Sequence, residues 1–395
     1  MSAETPELPD SAPGRYVPYG RKAYYKPEPL PPATELDLSP DFYELLSDAT
    51  FWLGKLSGLS MTVDFPPVLY TSLLRKEAME SAEIEGADVD FNAVFSAETR
   101  SLNNGQKLSD NSYTVGLDAT KNAQEVLNYE TCVTDGIQVL DEGGTITIDL
   151  LNSLHQTLMS GLPDDRCETE TLGEFKKTPN VVGSFLPPPP DETEGLMDAL
   201  ITYIRTGGSY HALIDIALVH YQFETIHPYG DGNGRLGRLL VTLQLYDAGY
   251  LEYPNLYLSE FFNRNKETYV DRMEAVRESG SWADWLTFFV TGITNQARES
   301  VERSIELRDL QQRYDNEYGG SGYAYARLAR TLFETPYFTA PQAAELLDVE
   351  PSTAYRAIER LQEEGVLEEV TGKERHREFR AREIFDILEQ PPQTY

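Results

Sequence analysis

The chain of 395 residues has little cysteine and no long apolar run. Cys132 and Cys167 are too few for a disulfide framework or a zinc site, so each is predicted to be a small buried or incidental residue. The first residues lack the basic start and apolar stretch of a secretion signal, and no run approaches the length of a membrane span. The sequence therefore predicts a soluble cytoplasmic protein of two or three domains, with no membrane partner.

Positive charge is also scarce. The chain has 33 basic residues against 65 acidic ones, a formal net charge of −32, and only 10 of the basic residues are lysine. This balance argues against a chain built mainly to grip nucleic acid, because nucleic-acid phosphates repel an acidic surface. Acidic residues spread along the chain favour a cytoplasm of high salt, where their mutual repulsion is screened. We therefore expect a halophilic source; the alternative is an ordinary acidic protein.

If the acidic surface is an adaptation to salt, the melting temperature should rise steadily as KCl is raised into the molar range, because the salt screens the repulsion between carboxylates. Differential scanning calorimetry across a KCl series measures this. A flat or falling curve would indicate an ordinary mesophilic protein.

The stretch from His227 to Arg238 combines an imidazole, a carboxylate, four glycines and two arginines. Leucines follow at i, i+3, i+4 and i+7, so the glycine-rich turn leads into a helix N-terminus. Unpaired N–H groups and the helix dipole favour an anion there, and glycine lets a phosphate approach the backbone. His227 is suited to remove a proton near neutral pH, and Asp231 to hold Mg²⁺. The stretch predicts chemistry on nucleotide phosphates; the alternative is a structural loop.

This stretch resembles the motif of the Fic family, His-Pro-Phe-x-Asp/Glu-Gly-Asn-Gly-Arg-x-x-Arg, with Tyr229 in place of the usual Phe. The resemblance extends over about residues 40–300 and implies a protein adenylyltransferase. Such an enzyme moves AMP from ATP to a Ser, Thr or Tyr hydroxyl of a target protein or of itself. By this resemblance His227 is the general base, Asp231 holds Mg²⁺ and Arg238 meets the γ-phosphate. It also implies a phosphate cradle formed by Gly232, Asn233, Gly234 and Arg235.

A second motif, Ser81-Ala-Glu-Ile-Glu85-Gly86, ends a helix that is predicted to begin after Pro66-Pro67. The charge of Glu85 opposes the helix dipole there, so Glu85 either meets a cation or is a solvated helix end. Ser81, Glu85 and Gly86 resemble the inhibitory motif of one Fic subclass. The resemblance implies that Glu85 pairs with Arg238 and withdraws the charge that should hold the γ-phosphate.

Residues 173–190 alternate β-branched and polar residues beside glycine and proline, which predicts a short exposed β-hairpin. An unpaired strand edge can hold a target peptide by main-chain hydrogen bonds. The segment resembles the Fic flap, which implies that Val181, Val182 and Gly183 dock the target. Lys176 stands where many relatives have Arg. The alternative is a plain connecting loop.

The predicted fold class is mostly α: a Fic-type helical core with a short β-hairpin flap, plus a C-terminal winged helix-turn-helix domain. Helical periodicity predicts helices over about 39–59, 66–86, 213–223, 254–273 and 282–297, and two more within 111–158. His155 is predicted to be a core histidine. The predicted division is an extended or disordered arm (1–35), an N-terminal helical segment with the inhibitory motif (36–110), the Fic catalytic core (111–300), a helical connector (301–323) and the winged helix domain (324–395).

The C-terminal residues 339–361 have the pattern helix, turn, helix, and residues 366–370 and 378–380 are predicted to pair around Gly372 as a wing. The winged helix common at the C-terminus of Fic proteins implies DNA contacts by Thr353, Tyr355, Arg356 and Arg360. Residues 331–395 nevertheless carry 14 acids against 7 bases, which is unfavourable for binding DNA. DNA binding and protein docking are equally open for this domain.

Two alternatives to adenylyl transfer stay open. One is a transcriptional or antitoxin-like regulator whose C-terminal domain acts while the core senses nucleotide, although an intact His227 disfavours it. The other is a Fic enzyme that removes AMP or transfers another phosphoryl-containing group with the same residues. The expected partners are ATP with Mg²⁺, a protein target with a hydroxyl side chain, a DNA or protein partner of the C-terminal domain, and a second copy in a homodimer.

Overall fold

Helices make up most of the structure, which is a computed structural model. It describes residues 6–61, 67–87, 90–96, 121–162, 172–373 and 375–391. Cys167 and residues 111–120 of the predicted third helix lie outside these ranges. None of the described helices is both long and apolar enough to cross a membrane. The elements are β1 (Gly14–Tyr19), β2 (Lys22–Pro27), α1 (Pro40–Ser60), α2 (Pro67–Ile84), α3 (Lys121–Asp141), α4 (Ile148–Met159), α5 (Pro190–Thr206), α6 (Ala212–Ile226), α7 (Asn233–Asp247), α8 (Leu258–Arg264), α9 (Lys266–Ser279), α10 (Trp282–Tyr318), α11 (Ala324–Thr331), β3 (Tyr337–Thr339), α12 (Ala340–Leu347), α13 (Pro351–Glu363), β4 (Leu367–Glu369), β5 (Glu378–Ala381) and α14 (Arg382–Leu388).

Side-chain caps set several of the helix starts. The Ser39 hydroxyl accepts the Phe42 N–H and begins α1, and the Thr147 hydroxyl accepts the Leu150 N–H and begins α4. Each cap satisfies one of the N–H groups that a helix leaves unpaired in its first turn. Proline at the first helical position of α1 supports the same start, because its fixed φ suits a helix and it has no N–H to leave unpaired.

Helices α6 and α7 form the centre of the molecule, and nearly every residue of both is buried. The leucines predicted to line α7 pack with α2 to α6 in one apolar cluster. The opposite faces of α6 and α7 pack in a second cluster with α1 and α10, which includes Trp282, Trp285 and Phe289. The loop between α6 and α7, residues 227–232, is therefore held between two well-packed cores.

The predicted extended or disordered arm (1–35) contains a regular, ordered element. Strands β1 and β2 form an antiparallel hairpin around Gly20, whose φ of 61° suits the tight turn. Tyr25 is fully buried, and its N–H donates to the carbonyl of Leu186 at 2.9 Å. The hairpin was not predicted from the sequence; its two strands pair with each other, and β2 also contacts residue 186, far away in the chain.

Two helix predictions are also corrected. The predicted helix over 254–273 is two helices, α8 and α9, separated at Asn265, which has a non-helical φ of −114°. The predicted helix over 282–297 and the connector are one continuous helix of 37 residues, α10. No glycine or proline interrupts residues 293–318, so the sequence itself offers no break there.

The C-terminal residues form a unit of four helices, α11 to α14, with a small sheet. Its antiparallel strands lie in the order β3-β5-β4, and β4 pairs with β5 in the register Leu367 with Ala381, as predicted for the two strands around Gly372. A Thr339–Gln342 capping box begins α12. Helices α12 and α13 are joined by a short turn, in which Asp348 has a φ of 52°. Its assignment as a winged helix stays a prediction.

Candidate active site

His227 lies at the C-cap of α6 in the left-handed region, with φ 49°. Its Nδ1 lies 3.3 Å from the backbone carbonyl of Glu224, which can only accept, so Nδ1 carries the proton and Nε2 is left as the basic nitrogen. Burial and the nearby positive charge of Lys176 lower the pKa of His227 to about 4. The imidazole is therefore neutral at physiological pH, the form that a general base needs.

The glycine-rich turn brings backbone close to its neighbours. Gly232 has a φ of 74°, and a Cβ there would lie 2.6 Å from the sulfur of Met159. Gly234, in the first turn of α7, has no room for a Cβ because the Glu85 carboxylate lies against it. Residues 233–235 begin α7, so their N–H groups have no acceptor within the helix. The turn offers an anion a set of backbone donors at a positive helix end.

Asn233 holds the turn closed. Its side-chain oxygen accepts the Tyr229 N–H at 2.8 Å, and its side-chain nitrogen donates to the Tyr229 carbonyl at 2.9 Å. Tyr229 is buried, stacks on His155 at 4.0 Å and donates its hydroxyl to Asn152 at 2.8 Å. That hydrogen bond satisfies the hydroxyl that distinguishes Tyr229 from the Phe of the motif. The Asn233 side chain is thus occupied, and only its backbone N–H is available to a phosphate.

His155 is the buried core histidine that the sequence predicts, and it also shapes the site. Its Nδ1 accepts the Gly173 N–H at 3.0 Å, so its Nε2 carries the proton and donates to the Asp231 carbonyl at 3.0 Å. Burial lowers the pKa of His155 to about 4, against the opposing hydrogen bond to Asp231. This neutral histidine links α4 and the start of the flap to the glycine-rich turn.

Asp231 lies at the mouth of the site, with 53% of its side chain exposed. Its Oδ1 accepts the Gly232 N–H at 2.6 Å. Among the described residues, no group of three or more His, Cys, Asp or Glu side chains is placed to hold a metal. A single carboxylate fits Mg²⁺ that completes its coordination with phosphate oxygens and water.

Arg238 is buried and bonds to both predicted inhibitory residues. Its Nε donates to the Ser81 hydroxyl and one terminal nitrogen to the Ser81 carbonyl, both at 2.8 Å. The same nitrogen donates to the Glu85 carboxylate at 2.8 Å, so the predicted pairing is present. Partial burial raises the pKa of Glu85, but the attraction of Arg238 outweighs it and holds the pKa below its ordinary value. Gly86 follows with a φ of 91°, which suits a helix end.

Arg235 points into the helical core. Its guanidinium is buried and donates to the Glu125 carboxylate on α3 at 3.2 Å and to the sulfur of Met159 at 3.3 Å. One terminal nitrogen also lies 4.0 Å from the Asp231 carboxylate. Its positive charge therefore lies on the core side of the glycine-rich turn. A direct contact of Arg235 with phosphate stays a prediction.

The flap is shorter than the predicted hairpin. One antiparallel bridge joins Val182 and Phe185, and Gly183 has a φ of 58° in the turn between them. Val181 and Val182 are 57% and 40% exposed, unusual for valine, so an apolar edge faces outward beside the site. The prolines at 187–190 limit regular strand structure because proline donates no hydrogen bond.

Three further residues at the site were missed by sequence reasoning or left without a role. Glu224 lies on α6 with a carboxylate oxygen 3.9 Å from His227 Nδ1, and burial raises its pKa to about 7. Lys176 and Asn180, on the flap segment, bond to the loop that carries His227. Of these three residues, only Glu224 could have been predicted from the sequence to lie near His227, because residues three positions apart are neighbours on a helix.

The proposed DNA contacts lie on α13. Tyr355 is 43% exposed, while the Arg356 guanidinium donates to the Ser352 carbonyl and the Thr353 hydroxyl. Arg360 is exposed and pairs with Glu364 at 2.8 Å and with Glu363 at 3.6 Å. Both arginines are thus engaged within their own helix, and DNA binding stays a prediction.

Comparison with known proteins agrees with this fold and site. Family models described as the Fic/DOC family and the Fic/DOC family N-terminal region match residues 145–245 and 43–138. This chain belongs to the Fic family.

Relatives named protein adenylyltransferase Fic are similar in sequence. That of Culex quinquefasciatus is 26% identical over 240 residues, 59% of this chain and 42% of the relative. That of Drosophila melanogaster is 28% identical over 184 residues, 45% of this chain and 34% of the relative. The chain thus spans less than half the length of these relatives.

Two solved structures share the fold. A Fic family protein from Desulfovibrio desulfuricans G20 is 19% identical, with a TM-score of 0.55 over 89% of this chain and 98% of that one. Fic-1 (residues 134–508) from C. elegans is 18% identical, with a TM-score of 0.50 over 68% of this chain and 73% of that one.

Proposed function

We propose that this protein is an adenylyltransferase that moves AMP from ATP to Ser, Thr or Tyr hydroxyls of proteins, itself included, and that Glu85 inhibits it. The observation that carries the proposal is the buried Arg238, which is paired with Glu85 beside a helix N-terminus and in the same motif as a neutral His227. The names of the relatives support the same activity.

The chain's own residues account for each step of the reaction. His227 Nε2 takes the proton of the target hydroxyl while the hydroxyl oxygen attacks the α-phosphorus of ATP. The bond from the α-phosphorus to the bridging oxygen breaks, and pyrophosphate leaves with that electron pair. The first N–H groups of α7 stabilise the negative charge on the phosphates, and Arg238 holds the γ-phosphate. Gly232, Asn233, Gly234 and Arg235 form the proposed cradle.

Mg²⁺ belongs to the proposed substrate complex rather than to a resident metal site. Asp231 would hold it, since this carboxylate lies at the mouth of the turn and is the acidic ligand of the motif. When bound, Mg²⁺ would supply positive charge to the β- and γ-phosphates. The exposed apolar edge of Val181 and Val182 supports a docking role for the flap, which would bring the target hydroxyl to His227.

In the resting protein, Glu85 pairs with the Arg238 guanidinium, whose positive charge ATP requires. The carboxylate accepts from Arg238 and lies against Gly234, at the N-terminus where the phosphates would bind. ATP therefore competes with Glu85, and inhibition follows from charge and from space. The proposed division into arm, N-terminal segment, core, connector and winged helix domain places the inhibitory motif and the base in different segments.

The test uses ATP labelled at either the α- or the γ-phosphate, incubated with the Glu85→Gly variant. We expect protein-bound label from α-labelled ATP alone, because AMP keeps the α-phosphate and pyrophosphate carries the γ-phosphate away. Label from γ-labelled ATP would instead identify phosphoryl transfer. Release of AMP from a modified protein, with no incorporation, would identify hydrolytic removal of AMP.

Replacing Asp231 by Ala should lower the rate at saturating Mg²⁺ by at least roughly tenfold and shift the Mg²⁺ dependence to higher concentration, since the ion loses its protein ligand. A Mg²⁺ titration of AMP incorporation in the Glu85→Gly background measures both effects. Asp247→Ala, on an exposed residue at the other end of α7, is the matched control. A titration curve unchanged by Asp231→Ala would place the metal elsewhere.

A further inference from the structure

Four consecutive backbone carbonyls of the loop that carries His227 accept hydrogen bonds from two residues of the flap segment. Lys176 Nζ donates to the carbonyls of Ile226 at 3.0 Å and His227 at 2.9 Å, and the Lys176 N–H donates to that of Pro228 at 2.8 Å. The Asn180 side-chain nitrogen donates to the carbonyl of His227 at 3.0 Å and to the carbonyl of Tyr229 at 2.9 Å. The flap and the loop are thus joined continuously from residue 226 to residue 229.

Lys176 is a buried lysine that is fully satisfied. It is 5% exposed, and its third bond from Nζ goes to the Asn180 side-chain oxygen at 2.9 Å. Three acceptors use the three N–H donors that only the protonated amine has. Burial disfavours the cation and lowers the pKa of Lys176 to about 7. Because lysines are rarely buried, the position of Lys176 indicates a specific role for its side chain.

The bonds converge on a residue with an unfavourable backbone conformation. His227 has a left-handed φ of 49°, a conformation that residues other than glycine seldom adopt, and its carbonyl accepts from both Lys176 and Asn180. The direction of the imidazole follows from this backbone conformation. Residues Lys176 and Asn180 also flank the stretch that leads to the exposed edge of Val181 and Val182.

We propose that Lys176 and Asn180 are positioning residues that lock the target-docking flap to the His227 loop, so that the flap edge and the base keep one fixed separation. Neither side chain touches the reacting atoms. Their contribution is to hold the hydroxyl of a docked target within reach of Nε2, where a displacement of about 1 Å is enough to cost about 10²-fold in rate. The inference rests on the proposed function, because it assigns roles relative to the same base and flap.

Four variants in the Glu85→Gly background of the full chain test the proposal. Lys176→Met removes the side-chain donors and keeps an apolar chain of similar length, whereas Lys176→Arg keeps a cation with several donors. Asn180→Asp still accepts from Lys176 but cannot donate to the two carbonyls. Lys177→Met is the matched control, because this neighbouring lysine is 67% exposed and pairs with Glu174 on the surface.

The kinetic measurement is the initial rate of self-modification with α-labelled ATP, beside the affinity for a fluorescent ATP analogue and the melting temperature. We expect Lys176→Met and Asn180→Asp to lower the rate by about 10²-fold with nucleotide affinity within about twofold, and Lys176→Arg to retain the rate within about threefold. Lys177→Met should match the parent. A Lys176→Met rate within threefold of the parent, or a loss of nucleotide affinity in proportion to the rate, would overturn the proposal.

A second measurement does not depend on transfer activity. The charged groups around the imidazole are Lys176 on the flap segment, Glu224 on α6 and Glu85 at the end of α2. With Glu85 intact, Lys176→Met should raise the pKa of His227 followed by NMR, because a positive charge is removed, while Lys177→Met leaves it unchanged. An unchanged His227 titration in Lys176→Met would contradict the lock. If the parent transfers no AMP but this shift is observed, the proposed function fails, while the placement of Lys176 beside the His227 loop stands.

Discussion

The Glu85→Gly variant should transfer AMP to itself and to other proteins roughly 10- to 100-fold faster than the wild type, the usual range of coupling between two ligands of one site. The reason is that in the proposed mechanism the γ-phosphate needs the Arg238 guanidinium, which Glu85 occupies, and Glu85 also lies against Gly234. The free energy of unfolding should change by only about 1 kcal/mol, because Glu85 is partly exposed and Arg238 keeps two bonds to Ser81. Incorporation of label from α-labelled ATP is the measurement.

The matched control is Glu83→Gly, two residues earlier on the same helix. Its carboxylate accepts from Asn263 on α8 and takes no part in the Arg238 pairing. Glu83→Gly should leave the enzyme inhibited, whereas Glu85→Gly with Arg238→Ala should lose the gain, since the released arginine is what the first change makes available. A double variant that keeps the full gain, or a Glu85→Gly variant no faster than the wild type, would make Glu85 a solvated helix end.

A fall in pH within the neutral range should not release the proposed inhibition by Glu85. A carboxylate whose pKa is lowered in the folded protein stabilises the pairing fully above its ordinary pKa, and that stabilisation is lost only as the pH falls through the lowered value. The pairing therefore persists under physiological conditions until a ligand or a conformational change displaces Glu85.

His227→Ala in the Glu85→Gly background should abolish most transfer, with a loss of about 10²- to 10⁴-fold, because no other described group is placed to take the hydroxyl proton in its stead. The affinity for ATP should stay nearly unchanged, since in the proposed mechanism the base acts on the hydroxyl, whereas the phosphates contact the first turn of α7 and Arg238. Isothermal titration with ATP and Mg²⁺ beside label incorporation separates the two effects.

His155→Ala is the contrasting change. His155 is also buried and neutral, but it holds the Asp231 carbonyl and the start of the flap rather than facing a substrate. Its loss should disturb stability and nucleotide affinity together with the rate. If His227→Ala behaved in the same way, with affinity and rate lost in parallel, His227 would be a structural histidine and not the base.

Much of the site was predictable because its chemistry is concentrated in one short stretch. Gly232 and Gly234 stand where backbone must approach a ligand or a neighbouring side chain, and leucine spacing marks the helix that follows. The pairing of Glu85 with Arg238 was also predicted, from a second short motif, and its geometry is present at 2.8 Å. Residue type and local spacing indicate the glycine-rich turn and its helix, whereas the pairing was implied by the resemblance of the second motif to the inhibitory motif of one Fic subclass.

What the sequence concealed depends on tertiary contacts. The partners of Lys176 and Asn180 lie about 50 residues further along the chain, and backbone carbonyls leave no mark in a sequence. The N-terminal hairpin was also missed; its two strands pair with each other, and Tyr25 also contacts Leu186 and Phe185, far along the chain. The continuity of α10 differs from these cases: no breaker residue lies in 293–318, and its division into helix and connector was unnecessary.

Intact-protein mass spectrometry of the Glu85→Gly variant after incubation with ATP and Mg²⁺ tests the central claim most directly. The account predicts an added mass equal to one or more AMP groups, and no such addition when His227→Ala is combined with Glu85→Gly. An added mass of phosphate alone, or the same AMP addition without His227, would contradict adenylyl transfer by this site.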